Sequence, residues 1–290
     1  MTNFVHHRRP VAVENAKPYW WRDANLTDPD NQQARCVTVV IPAYNEEATI
    51  EDILRRVDAL SCVGEIILVD DCSADRTAQI AEGLQIPRLK MIRQNPNQGK
   101  TAAVRRGLSE VTGPIVIIQD ADLEYDPDEI PMVVEPIVAG KGDVVYGSRF
   151  LVRKTTRVLY FYHYLANRAL TFLSNLFTNM NMTDIETCYK AFRTPIIQQL
   201  PLTSKGFGME VEITAMIAKT RAKVFEVPIS YYGRTYEEGK KIGLMDGLHA
   251  LWYIFYYNVI AGRSSRCREY VKAVNQFLAA SPHFVNQPGS

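Results

Sequence analysis

Five carboxylates in one short stretch are the first residues of this chain whose type and spacing point to chemistry. They follow the apolar run Ile115–Ile118 and are Asp120, Asp122, Glu124, Asp126 and Asp128. A continuous run of β-branched residues is typical of a buried parallel strand, and open α/β sheets bind ligands at the carboxyl ends of their strands. Carboxylates crowded there repel one another, and their hard oxygens suit Mg²⁺ or Mn²⁺. The stretch predicts a metal–diphosphate site, with a solvated acidic turn as the alternative.

The elements that would position these carboxylates are predicted from hydrophobic periodicity. Apolar runs alternate with amphipathic helical patterns through the first half, which predicts a mostly parallel sheet with helices on both faces. Asn45 is a candidate cap for the first helix, and Asp126-Pro127-Asp128-Glu129 is a strong helix-start pattern. The predicted strands besides the opening one are Val37–Pro42, Glu65–Asp70, Arg88–Arg93 and Asp143–Gly147.

The second half has a different pattern. Two long aromatic and aliphatic segments, Thr156–Met180 and Ile242–Tyr257, predict amphipathic helices that either lie in a membrane interface or pack the core. Between them, a loop and short strand over Asp184–Phe192, a helix over Gly208–Lys219 and a strand over Val224–Ile229 are expected. A helical tail follows to about Ala280.

Composition excludes several classes of protein. Lys and Arg total 33 against 32 Asp and Glu, which argues against a nucleic-acid partner. The 5 cysteines are scattered without a CxxC pair, so neither a zinc site nor a disulfide framework is predicted, and a cytoplasmic location is expected. No signal peptide and no run long enough to span a bilayer is recognised, so any membrane contact should be peripheral.

Three nucleotide- or phosphate-handling classes are set aside on missing residues. Gly99-Lys100-Thr101 has the end of a phosphate-binding P-loop, but Gln94 stands where the loop needs its first glycine. A phosphatase built on Asp120 as nucleophile would usually carry a small residue where Glu124 stands. No glycine fingerprint for a dinucleotide is present.

The remaining polar motifs fall at predicted strand ends, which converge in one cleft of a parallel sheet. Acids at the first two ends can accept hydrogen bonds from a base N–H and from ribose hydroxyls, and the third cluster can hold a metal. Each motif alone has a turn or capping explanation. The motifs are Pro42–Glu46, Asp70-Asp71, Asp120–Asp122 and Arg149.

Five motifs in order give the chain a resemblance over about Cys36 to Tyr257. It resembles the family 2 glycosyltransferases of GT-A fold, and within them the dolichyl-phosphate mannose synthases and bacterial polyprenyl-phosphate hexosyltransferases. The motifs are VVIPAYNEE from Val39, ILVDDCSADRT from Ile67, NQGK from Asn97, DADLEYDP from Asp120 and GSR from Gly147.

The resemblance implies the site. Asp122, Arg149 and Asp184 would serve catalysis, with Arg149 facing donor or acceptor phosphates and Asp184 lining the acceptor side. Metal ligands would be Asp120, Asp122 and Glu124, the last standing where relatives often carry Gln. The implied nucleotide-sugar-binding residues are Pro42, Tyr44, Glu46, Asp70, Asp71, Lys100, Asp120, Ala121, Asp122, Arg234 and Lys240, with Lys241 as an alternative to Lys240.

The expected activity is metal-dependent transfer of a hexose, with inversion, from a nucleotide-sugar such as GDP-mannose or UDP-glucose to polyprenyl phosphate. Transfer to a hydroxyl needs a general base, whereas a phosphate monoester is already largely a dianion at neutral pH. Two alternatives stay open: transfer to a sugar or protein hydroxyl with Asp184 as base, and a non-catalytic nucleotide-sugar binder. The expected division is an extension over 1–35, a catalytic domain over 36–230, and a basic loop with C-terminal helices over 231–290. The oligomeric state, including a homo-oligomer, is left open.

Overall fold

A computed structural model describes residues 35–151, 157, 160–234 and 244–281. The N-terminal extension predicted over 1–35 lies outside this range apart from its last residue, and so do Lys240 and Lys241. The division into three segments is not tested and stays a prediction.

Within the described residues, seven strands form one sheet in the order β3-β2-β1-β4-β6-β5-β7. Strands β1 to β4 are parallel, β6 runs antiparallel to both β4 and β5, and β7 is parallel to β5. The predicted mostly parallel sheet is confirmed. The strands are Val37–Ala43 (β1), Val63–Asp70 (β2), Leu89–Arg93 (β3), Ile115–Ile118 (β4), Val144–Ser148 (β5), Lys190–Arg193 (β6) and Val224–Pro228 (β7).

Helices cover both faces of the sheet. Alternate residues of β1 enter different cores: Val39 and Ile41 face one cluster, and Val40 faces the other. Such two-sided burial explains why the central strands are continuous apolar runs. The helices are Ile50–Ala59 (α1), Thr77–Gly83 (α2), Lys100–Leu108 (α3), Ile130–Val138 (α4), Phe161–Thr178 (α5), Thr194–Gln198 (α6), Met209–Ile217 (α7), Leu244–Phe255 (α8) and Ser265–Ala280 (α9). A π-helical turn, Tyr256–Ile260, follows α8.

Two predicted helix starts have different outcomes. Asp126 does cap the turn Pro127–Glu129 that leads into α4, since its side chain accepts from the Asp128 N–H. Asn45 is not the cap of α1, which begins at Ile50. Asn45 instead adopts a left-handed φ of 56° and its side chain accepts from the Ala74 N–H at 2.8 Å, which joins the loops after β1 and β2.

The antiparallel strand β6 determines what meets at the functional edge. Because β4 and β5 both run opposite to β6, their carboxyl ends lie at the same edge as the start of β6. The segment preceding Lys190, which contains Asp184, is therefore delivered to the edge where Asp120 and Arg149 lie. The order of strands along the chain does not indicate this insertion.

Candidate active site

Asp71 fixes the loop that leads into α3. One carboxylate oxygen accepts from the Gln98 N–H at 2.8 Å and from the Gln94 side chain at 2.7 Å, and the other accepts from the Gly99 N–H at 2.7 Å. Asp71 is buried. Gly99 has a φ of 86°, which glycine adopts without strain. The second strand end thus positions Lys100, the first residue of α3.

Asp70 lies beside Asp71 and is fully buried. One of its oxygens accepts from the Ser73 N–H at 3.3 Å, and the other lies 3.1 Å from Nε of Arg93. At the neighbouring strand end, Pro42 is buried within β1 and Tyr44 is exposed. These residues line one edge as expected, and their nucleoside-binding roles stay predictions.

Lys100 and Asp120 form an ion pair at the end of β4. The ammonium lies 2.7 Å from a carboxylate oxygen of Asp120 and donates to the Cys188 sulfur at 3.0 Å. Burial alone would lower the pKa of Lys100, but the charge of Asp120 raises it well above the usual value. Lys100 therefore remains a cation beside Asp120, one of the aspartates predicted to bind the metal.

Asp122 occupies a tight turn. Leu123 has a φ of 59°, a left-handed conformation that is strained for a branched side chain, and the Glu124 N–H donates to Asp122 at 3.1 Å. Burial, together with the charges of Asp120 and Glu124, raises the pKa of Asp122 to about 7. Crowded carboxylates of this kind are stabilised by a nearby cation.

Arg234 is the cation on the other side of Asp122. Its guanidinium donates to the Asp122 carbonyl at 3.1 Å and to the Glu46 carboxylate at 3.1 Å, and it lies 3.8 Å from the Asp122 carboxylate. Arg234 thus links Glu46 and Asp122, and the roles of all three in binding the donor stay predictions. Lys240, its predicted companion, lies outside the described residues.

The Glu124 carboxylate is occupied by donors from the chain that follows β7. Its two carboxylate oxygens accept from the Tyr231 hydroxyl and the Arg234 N–H, each at 2.9 Å. Within the described residues no group of three or more potential metal ligands is assembled. Asp120 and Asp122 nevertheless suit Mg²⁺ or Mn²⁺, because these ions commonly take one or two carboxylates and complete their shell with water and phosphate oxygens.

Arg149 and Asp184 form a buried bidentate pair. Nε and Nη2 of Arg149 lie 2.6 and 2.8 Å from the two carboxylate oxygens, and the Arg149 N–H donates to the same carboxylate at 3.2 Å. The Asp184 side chain is fully buried, and that of Arg149 is 12% exposed. Burial alone would lower the pKa of Arg149, but the carboxylate of Asp184 raises it well above the usual value.

A second buried charged cluster was missed in the sequence. Cys188 donates to Glu210 at 3.3 Å, and Lys190 donates to the carbonyls of Ile185 and Thr187. Burial and the charge of Glu210 raise the pKa of Glu186 to about 8. The available signal was a pair of glutamates in the otherwise apolar helix α7, all of whose residues are buried.

The aromatic helices α5 and α8 pack against each other and expose large apolar side chains. Tyr162 is 81% exposed, Phe172 71%, Leu176 70% and Trp252 55%. Among the described residues, no helix combines the length and apolarity needed to cross a bilayer.

Comparison with known proteins identifies the family. The family model described as Glycosyl transferase family 2 matches residues 38–200. The dolichol-phosphate mannosyltransferase of Pyrococcus furiosus is 32% identical over 71% of this chain and 59% of that protein. An undecaprenyl-phosphate 4-deoxy-4-formamido-L-arabinose transferase of Edwardsiella ictaluri is 30% identical over 77% of this chain and 68% of that one. The chain thus spans about three fifths to two thirds of the length of these curated relatives.

Solved structures support the fold. Glucosyl-3-phosphoglycerate synthase from Mycobacterium tuberculosis, solved with Mn²⁺, UDP and phosphoglyceric acid, matches with a TM-score of 0.59 and 21% identity, over 78% of this chain and 79% of that chain. Another structure of that enzyme contains Mg²⁺ and UDP and gives a TM-score of 0.60 at 22% identity, over 77% of this chain and 79% of that one. The sheet and its flanking helices are those of the GT-A fold, as predicted, and the chain belongs to glycosyl transferase family 2.

Proposed function

We propose that this chain is a metal-dependent, inverting glycosyltransferase that moves a hexose from a nucleotide-sugar to polyprenyl phosphate. The similarity to a dolichol-phosphate mannosyltransferase and to undecaprenyl-phosphate sugar transferases supports the acceptor class. The family and the placement of Asp120 and Asp122 at the carboxyl edge of the sheet support the donor class.

The observation that carries the choice of acceptor is the burial of Asp184. A hydroxyl acceptor needs a general base within reach of its proton. Asp184 is fully buried, and both its oxygens are bound by Arg149. A lipid monophosphate needs no such base, because its second ionisation is largely complete at neutral pH. The pair is therefore better suited to shaping the acceptor side than to removing a proton.

On the donor side, Asp120 and Asp122 would hold Mg²⁺ or Mn²⁺ against the diphosphate of the nucleotide-sugar. When bound, the ion neutralises the charge that develops on the leaving diphosphate. Lys100 and Arg234 already contact the same two aspartates, and they are placed to supply further positive charge beside the phosphates. The nucleoside would lie along the ends of β1 and β2, where its predicted contacts are Pro42, Tyr44, Glu46, Asp70 and Asp71. Ala121 would face the sugar diphosphate. Lys240 remains a predicted donor contact.

The reaction balances without an external co-reactant. An oxygen of the acceptor phosphate attacks the anomeric carbon from the face opposite the leaving group. A new bond joins that carbon to the phosphate oxygen as the bond to the diphosphate breaks, and the nucleoside diphosphate departs with the electron pair. Positioning of the two charged groups, rather than proton transfer, is what the protein contributes.

A polyprenyl acceptor implies work at a lipid surface. The exposed aromatic and aliphatic residues of α5 and α8 form an apolar surface suited to peripheral contact with the cytoplasmic face of a membrane. Replacing Phe172 and Leu176 together by Ser should weaken binding to phospholipid vesicles about tenfold or more, because two large apolar groups no longer enter the interface. Co-sedimentation measures this, with Phe225→Ser on β7 as a control at an exposed apolar position outside these helices. Equal binding of all three proteins would contradict the assignment.

A donor panel tests the proposed activity. The protein is incubated with Mn²⁺ or Mg²⁺, a short polyprenyl phosphate and either GDP-mannose, UDP-glucose or another nucleotide-hexose, and sugar entering the lipid fraction is followed. Transfer from one donor, abolished by EDTA and restored by excess metal, is expected. Failure of every donor, together with an absence of metal-dependent nucleotide binding, would overturn the proposal.

A further inference from the structure

We infer that Glu124 positions the segment Tyr231–Arg234 against the Asp120–Asp122 turn and is not a third metal ligand. The inference deepens the proposed function. It rests on that proposal only in treating the Asp120–Asp122 turn as the part of the donor site that would hold the metal. It replaces the expectation that Glu124 joins Asp120 and Asp122 in one metal shell.

Three hydrogen bonds join Glu124 to this segment. Its carboxylate accepts from the Tyr231 hydroxyl on one oxygen and from the Arg234 N–H on the other, each at 2.9 Å. Its carbonyl accepts from the Tyr232 N–H at 3.0 Å. A carboxylate with a strong donor on each oxygen is held in one orientation, and in that orientation Glu124 is not grouped with Asp120 and Asp122 as ligands of one metal ion.

The same loop holds the residue before the segment in a similar way. Glu129, the last residue of the helix-start pattern, accepts from the N–H and the hydroxyl of Ser230, each at 2.9 Å. Two glutamates of the loop between β4 and α4 therefore hold consecutive residues of the chain that follows β7. The loop thus anchors this part of the chain at two points, with Glu129 at Ser230 and Glu124 at Tyr231 and Arg234.

The anchoring by Glu124 also positions Arg234 at the proposed donor site. With its N–H on Glu124, Arg234 extends its guanidinium to the Asp122 carbonyl and to the carboxylate of Glu46, each at 3.1 Å. One anchored residue thus links the ends of β1 and β4. Tyr231 is further fixed by its ring, which lies 5.4 Å from that of Tyr125 and 5.1 Å from the guanidinium carbon of Arg149.

Hydrogen–deuterium exchange of the full-length protein, without metal or nucleotide, tests the anchor directly. Glu124→Ala should speed exchange of the Tyr232 and Arg234 amides about tenfold, because the carboxylate acceptor is lost and the turn loosens. Tyr231→Phe removes one hydrogen bond and keeps the ring, so a smaller increase is expected. Asp128→Ala, which removes an exposed acid of the same loop, should leave these amides unchanged.

Mn²⁺ binding in the presence of UDP or GDP, followed by electron paramagnetic resonance, separates the two roles. A positioning residue predicts an affinity for Glu124→Ala within about threefold of wild type, and a metal ligand predicts a loss of about tenfold or more. That loss, or unchanged exchange in Glu124→Ala, would overturn the inference. If the wild type itself bound no Mn²⁺ with either nucleotide, the proposed function would fail while the exchange result would still decide the anchor.

Discussion

Two ion pairs on the same edge of the sheet differ in construction. On the proposed donor side, Lys100 contacts Asp120 at a single distance of 2.7 Å, and 36% of the lysine side chain is exposed. On the proposed acceptor side, two nitrogens of Arg149 contact Asp184, and the aspartate side chain is fully buried. A single partly exposed contact can exchange one cation for another, whereas a buried bidentate pair is a permanent part of the fold. The first is suited to handling a ligand and the second to holding a shape.

The largest effect should follow from removing charge on the donor side. Asp120→Asn or Asp122→Asn keeps the size of the side chain and should lower kcat/KM for transfer about 100- to 1000-fold, because stabilisation of the leaving diphosphate is lost. Steady-state kinetics measure this, with Asp128→Asn as the matched control. Activity within about threefold of wild type in both variants would remove the distinction between the two pairs.

Breaking the acceptor-side pair should act on stability. Asp184→Asn leaves the buried guanidinium of Arg149 without its counter-charge, which should lower the free energy of unfolding by about 3 kcal/mol. Urea denaturation measures the change, and Glu51→Ala, at the exposed pair with Arg55, should cost about 0.3 kcal/mol. A fully stable Asp184→Asn protein would contradict the structural role assigned to the pair.

Stability should also depend on pH through the acceptor side. The pKa of Glu186 is about 8 in the folded chain, against an ordinary value of 4.5, because of burial and the charge of Glu210. Between these pH values the folded state keeps a proton that the unfolded state releases, so stability falls as pH rises through this window. The charges of Lys190 and Arg149 lower the pKa of Glu186, and the charge of Asp184 raises it.

Glu186→Gln cannot ionise, so its stability relative to wild type should rise by about 2.5 kcal/mol between pH 5 and pH 7. Urea titrations at the two pH values give the difference. If the difference in unfolding free energy between Glu186→Gln and wild type did not change with pH, Glu186 would be ionised in the folded protein at both pH values.

The smallest effect is expected at the structural end of the acidic stretch. Asp126 caps the turn before α4 and also pairs with Arg56. Asp126→Ala should cost about 1 kcal/mol of stability and leave kcat/KM unchanged, because the Asp126 carboxylate is occupied by the Asp128 N–H and by Arg56. A loss of activity comparable to that of Asp122→Asn would place Asp126 in the donor site.

The contrast also explains how much could be predicted from the sequence. Donor-side positions follow from local rules: β-branched runs predict β1 and β4, parallel strands bring Glu46 and Asp122 to one edge, and Asp126 has the signature of a cap. These rules predicted that Glu46 and Asp122 lie at one edge, whereas Arg234, implied only by the resemblance, contacts both of them in the structure.

The acceptor side depends on contacts between distant segments, which no local pattern encodes. The insertion of β6 between β4 and β5 brings Asp184 to Arg149, although the two are far apart in sequence. Asparagine often caps helices, but the Asn45 side chain instead accepts from the Ala74 N–H in the loop after β2. The resemblance implies that Glu124 is a metal ligand, but its orientation is decided by Tyr231 and Arg234.

The most direct test of the central claim compares two acceptors that differ only in the phosphate. A polyprenyl phosphate and the matching polyprenol, which ends in a hydroxyl, are offered to the enzyme with the preferred nucleotide-hexose and Mn²⁺. A buried, arginine-bound Asp184 predicts rapid transfer to the phosphate and none to the alcohol in wild type, and weakened but retained transfer to the phosphate in any folded Asp184→Asn protein. Transfer to polyprenol that depends on Asp184 would contradict the account.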